Sequence, residues 1–166
     1  MRGPEYYRDL WETMRVRPEW EQLVKTAATR LQTQRALYDG LGPDWRLVGA
    51  IHHMECDADP ARQILNGQRW DRITTIHPKG IGPFTSWREA ALLALREHAL
   101  ATLRDVERWN GRGYEFRDLN SPYVWSGSNH YERGKYGSDG RFDPNLVSKQ
   151  VGAALILAAR GWKPAA

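Results

Sequence analysis

Cysteine is almost absent: Cys56 is the one thiol in 166 residues. That excludes an internal disulfide framework and a zinc site built from several thiolates, so stability rests on packing. Long apolar runs are missing too. Stretches such as 153–159 fall far short of the roughly 20 residues needed to cross a bilayer, which excludes a transmembrane helix. No apolar segment follows the first basic residue of Met-Arg-Gly-Pro-Glu-Tyr-Tyr-Arg-Asp, so no secretory signal is expected, and work outside a cell would need another route of export or release. There is no internal repeat, low-complexity tract or Gly/Ser linker, and a single domain over residues 1–166 is expected. What is abundant is aromatic and cationic: 8 Trp, 7 Tyr and 3 Phe, with 24 Lys plus Arg against 20 acids. Most of the positive charge is arginine, which suits anionic or flat polar partners. Charge alone does not choose among nucleic acid, anionic lipid and the anionic polymers of a bacterial wall.

Helical periodicity dominates. Pro4 to Met14 reads as a short helix. Trp20, Leu23, Val24, Ala27, Leu31, Ala36 and Leu37 mark a longer one from Pro18 to Tyr38, stopped by Gly40 and Gly42. Leu47, Val48, Ile51 and Met54 line one face of a helix that begins at Pro43 and ends near Glu55 or Cys56. Ile64–Trp70 and Ile73–Ile76, β-prone around Asn66-Gly67, predict a small hairpin, the only sheet expected. Residues 77–84 are loop. Ser86 and Glu89 form a capping-box pattern opening a long helix to about Trp109. Residues 111–142 read as a long ordered, aromatic-rich loop, and a last helix is expected from Asn145 to about Arg160. The fold class is mainly α, with a small β-hairpin.

The chemistry concentrates at Glu55. An acid at the negative end of a helix dipole, beside Met54, is pushed toward its neutral form, which suits a general acid. A hairpin that follows supplies an opposite wall, where Asp71 and Thr74 are candidates to activate and position a water. His52, three residues before Glu55, is placed to bond its carboxylate or the loop that follows. Tyr123, Trp125, Asn129 and Tyr131 alternate rings with an amide, a pattern suited to sugar faces and hydroxyls. His-Glu-x-x-His is absent, so no metal and no cofactor is expected. Cys56 reads as an inert thiol.

Ile51-His52-His53-Met54-Glu55, Leu65-Asn66-Gly67, Thr74 and Pro78-Lys79-Gly80, followed by Ser121 to Tyr131, Gly134-Lys135-Tyr136, Asp139-Gly140 and Val147-Ser148-Lys149-Gln150, resemble the two signatures of a family of bacterial and phage lysozymes. The resemblance spans about residues 45–157 and leaves 1–42 uncovered. It implies a lysozyme-like fold, cleavage of the β-1,4 glycan strand of peptidoglycan by a muramidase, and Glu55 as catalytic acid, with Asn66 and His52 on the substrate side. Cys56-Asp57 stands where small hydroxyl residues are expected, and Gln68 where an acid is expected. Inversion is the favoured outcome, on a monomer that acts at the bacterial wall and uses neither nucleic acid nor membrane insertion. Alternatives are a chitinase or chitosanase of the same superfamily and a non-catalytic wall-binding or phage structural module.

Overall fold

The computed structural model describes residues 2–164. It is mainly helical: α1 (Pro4–Thr13), α2 (Glu21–Thr33), α3 (Arg35–Tyr38), α4 (Trp45–Cys56), α5 (Trp87–Glu97), α6 (Leu103–Asn110), α7 (Pro122–Trp125) and α8 (Ala153–Ala159), with strands β1 (Lys135–Tyr136) and β2 (Phe142–Asp143). No helix among the described residues is long and apolar enough to cross a membrane. By packing the chain falls into two units, residues 1–28 with 102–166 (unit 1) and residues 29–101 (unit 2), the boundary lying inside α2.

Unit 2 is organised around α4. Asp44 caps it, its carboxylate accepting from the Arg46 N–H at 2.9 Å, so the helix starts two residues after Pro43. Every residue from Leu47 to Met54 is buried. A Cβ on Gly49 would lie 2.9 Å from both Leu31 and the Tyr38 ring, so the missing side chain is what lets those two residues close on the helix. The single helix expected over 18–38 is instead a 3₁₀ turn (Pro18–Trp20), α2 and α3.

The helix expected from Ser86 to Trp109 is two helices. Ser86 caps α5 through the Glu89 N–H at 3.1 Å, but the Glu89 carboxylate reaches Thr85. Thr102 and Asp105 form the complete capping box and restart the chain as α6.

In unit 1, α8 is buried from Ala153 to Leu157. It begins eight residues later than the periodicity predicts, because the preceding backbone has partners elsewhere. The Leu146 carbonyl accepts from Gly134 N–H, Ser148 N–H donates to Tyr131 Oη, and Gly152 N–H donates to the Ser126 carbonyl. A Cβ on Gly152 would lie 2.5 Å from the Val124 carbonyl oxygen, so glycine is required where α7 and α8 meet.

The hairpin exists, but elsewhere. β1 and β2 pair antiparallel, Lys135 with Asp143 and Tyr136 with Phe142, and the Tyr114, Tyr136 and Phe142 rings pack edge to face 5.5 to 6.2 Å apart. Aromatic packing holds this two-residue ladder. The predicted hairpin at 64–76 is corrected to a single bridge, Arg62 to Arg69, because side chains take the bonds a ladder would use. Gln68 Oε1 accepts from the Thr75 and Ile76 N–H groups, and Asn66 Oδ1 accepts from Gln68 N–H.

Candidate functional site

α4 ends abruptly after Glu55 and Cys56. Asp57 and Ala58 both adopt left-handed backbone, φ +56° and +54°, and return their N–H groups to the carbonyls of His53 and His52. Consecutive non-glycine residues in this region are strained, and such strain collects where geometry matters for function. Glu55 sits half-buried on the last turn of the helix. The Asn66-Gly67 turn is pressed against it: Gly67 has φ +72°, and a Cβ there would fall 2.7 Å from the Glu55 carbonyl oxygen. Any side chain at 67 would push the turn off the helix end.

His52 is the clamp for this arrangement. Its Nε2 lies 2.8 Å from the Asp59 carbonyl and 3.1 Å from that of Arg62. Both are acceptors, so Nε2 carries the proton and Nδ1 accepts from Tyr38 Oη at 2.9 Å. Trp87 Nε1 donates to the same Arg62 carbonyl at 2.8 Å. Burial pushes the imidazole down to about 4, so it stays neutral. The substrate-side expectation for His52 is corrected: the ring is fully buried and holds the loop to α4.

Other candidates in unit 2 have structural partners. Thr74 is 3% exposed; its hydroxyl donates to the Pro78 carbonyl at 2.6 Å and accepts from Ile81 N–H at 3.0 Å, closing the 74–81 loop. Asn66 Nδ2 reaches the same Pro78 carbonyl at 3.5 Å. Asp71 is exposed and grips Arg69 through two bonds of 2.8 and 2.6 Å. That guanidinium holds its carboxyl below the usual range, which weakens it as a base. Burial pushes the Cys56 thiol up to about 12, which keeps it protonated at neutral pH.

In unit 1, Trp125 is 1% exposed and meets His130 edge to face at 5.7 Å. Tyr131 is buried, with its Oη accepting from Ser148 N–H. Both are corrected from sugar platforms to core residues: the loop that carries them folds inward. Asn129 is exposed but ties its amide to the backbone of Thr13 and Arg15. Tyr123 is half-buried.

The sequence reading missed Glu107. It lies on α6 one residue past buried Val106, and its Oε2 accepts from Ser121 Oγ at 2.8 Å. Burial first, then the nearby charge of Glu115, pushes its carboxyl up to about 7. The signal was legible: Leu103, Glu107 and Asn110 share the i, i+4, i+7 stripe, and reading one helix through Thr102 obscured that register.

His52 and Glu107 make the two units titrate in opposite directions. Between pH 4 and 6.5 the unfolded state binds the His52 proton and the native state does not, so unit 2 should gain about 3 kcal/mol as pH rises through that window. Between about 4.5 and 7 the native state keeps the Glu107 proton and the unfolded state has lost it, so unit 1 should lose a similar amount, about 3 kcal/mol. Hydrogen-exchange free energies, corrected for intrinsic rates, should rise with pH in 29–101 and fall in 102–164. Parallel trends in both would overturn the assignment.

Against known proteins the chain matches no family model, no curated protein and no solved structure.

Proposed function

We propose that this protein hydrolyses a β-1,4 glycan strand of bacterial peptidoglycan, with Glu55 as the general acid. The observation that carries the reading is that Glu55, half-buried at the end of a rigid helix, has the Asn66-Gly67 turn packed on its backbone. Two segments of the lysozyme-like pattern, ten residues apart, thus meet at the helix end that carries Glu55. Protonation of a glycosidic oxygen needs an acid held at fixed height beside a cleft wall, and a helix end clamped by His52 provides that rigidity. With Asp71 paired to Arg69 and the Thr74 hydroxyl tied to its loop, neither is free to become a covalent nucleophile. That favours inversion by direct attack of water.

Purified protein should clear a suspension of bacterial walls, and mass analysis should find muramic acid at the new reducing ends. Released glucosamine ends would reassign the bond. Soluble chitin fragments cut as fast as walls would favour the chitinase reading, and binding without new ends would favour a wall-binding module.

A further inference from the structure

Arginines that stack on rings elsewhere in the chain also hold an acid: Arg2 lies over Tyr6 and pairs with Asp118, and Arg35 lies over Trp45 and pairs with Asp39. Arg112 and Arg117 differ. Their guanidinium carbons stand 5.0 and 5.9 Å from the centre of the same Tyr136 ring, and that of Arg117 is also 4.3 Å from the centre of Phe142. Among the described residues neither makes a hydrogen bond or an ion pair, and both are exposed. Guanidinium donors lie in the plane of the group, so a stack steadies the long side chain and leaves its N–H edge open.

The fold gathers these charges in unit 1. Arg117 ends the 3₁₀ turn Tyr114–Arg117, which is tied to the hairpin by Tyr136 N–H donating to Tyr114 Oη at 3.3 Å. Tyr136 and Phe142 are cross-strand partners and share one face of the ladder, while Lys135 and Asp143 share the other. The acids nearby are turned to other groups. Asp118 pairs with Arg2, Asp139 accepts from the Arg141 N–H, Asp143 accepts from the Asn145 N–H, and Glu115 has its Oε2 shut away from solvent. Two like charges therefore meet at one ring with no acid to offset them, and an anion would relieve their repulsion.

We propose that Arg112 and Arg117 form a clasp for a phosphate monoester. A carboxylate offers one edge, which a single guanidinium fork fills, whereas a monoester offers three terminal oxygens and a charge close to −2, enough for both forks. The rings have already ordered the two side chains, so less entropy is lost on binding. Phe116 is 83% exposed and lines the same cleft as Arg112. It gives the organic part of the ester an apolar face. The clasp does not rest on the glycan reading, because Glu55 belongs to the other unit.

The test is calorimetric and NMR titration of the full chain with phenyl phosphate at pH 8, against sodium benzoate and sodium chloride at equal ionic strength. Saturable binding of phenyl phosphate is expected, with shifts in the Tyr136 and Phe142 ring resonances, and benzoate should bind roughly tenfold or more weakly. Arg112→Gln and Arg117→Gln should each weaken phenyl phosphate by roughly tenfold or more. Arg112→Lys and Arg117→Lys keep the charge and lose the fork, so they should weaken it too, and they decide the matter if the glutamine variants do not fold. Phosphatidylcholine vesicles with and without phosphatidic acid separate the sources of the ester: retention on the phosphatidic acid vesicles alone, lost in the arginine variants, assigns the clasp to a lipid headgroup, and phenyl phosphate binding without retention assigns it to a soluble ester. No saturable binding, equal affinity for benzoate, or lysine variants that bind as the parent does would each overturn the proposal. Phosphate binding is read without walls, so its failure is distinct from a failure to cleave them.

Discussion

A folded Glu55→Gln protein should lyse bacterial walls roughly 100- to 10,000-fold more slowly than the parent, the range that general acid catalysis contributes. The substitution keeps the shape of the side chain and removes only the transferable proton. The helix end need not move, because what fixes it is backbone and His52: the left-handed turn at Asp57 and Ala58, the Gly67 contact, and the Nε2 bonds to the 59–62 segment. The unfolding midpoint should therefore stay near that of the parent while turnover collapses and wall binding persists. Lysis at the parental rate by a folded variant would remove Glu55 from the mechanism. Equal loss of binding and turnover would make it a contact residue and not an acid.

Trp125→Ala should cost about 3 to 5 kcal/mol of stability, the usual penalty for emptying a fully buried aromatic site. In a chain of this size that lowers the thermal midpoint by roughly 6 to 20 °C. The indole is 1% exposed, follows the Ser121 cap of α7 and meets His130 edge-on, so its removal leaves a hole that a short helix packed against α8 cannot collapse to fill. Affinity of the folded fraction for walls should change little. A variant of parental stability that no longer binds walls would restore Trp125 as a sugar platform, and the burial argument would fail.

How far the site was legible depended on the kind of signal. The end of α4 at Glu55 and Cys56 could be read because the apolar spacing stops there and Asp57 cannot continue it. The turn at Asn66-Gly67 could be read from local chemistry. That the turn rests on the Glu55 carbonyl could not be, since it depends on Gly67 having no Cβ at a contact made across intervening chain. Trp125 and Tyr131 show the opposite failure. A ring beside glycine and serine has the composition of a sugar platform and of a plugged core alike, and only the direction in which the loop folds separates them. Glu107 could be read only once the restart at Thr102 was seen, because that restart sets the helical register by which its face is assigned.

Local sequence determined the mainly helical class, the helix cap at Ser86, the glycine turns and the absence of disulfides, because each follows from backbone preference or composition within a few residues. Tertiary structure decided where the hairpin lies, where α8 begins, that His52 clamps a loop while Thr74 closes one, and that Glu107 bonds Ser121. Those outcomes depend on which of several competing partners a backbone N–H or side chain reaches first in space. Segment 64–76 gives its backbone N–H groups to the Asn66 and Gln68 side chains, whereas 135–143 pairs under the packing of Tyr114, Tyr136 and Phe142.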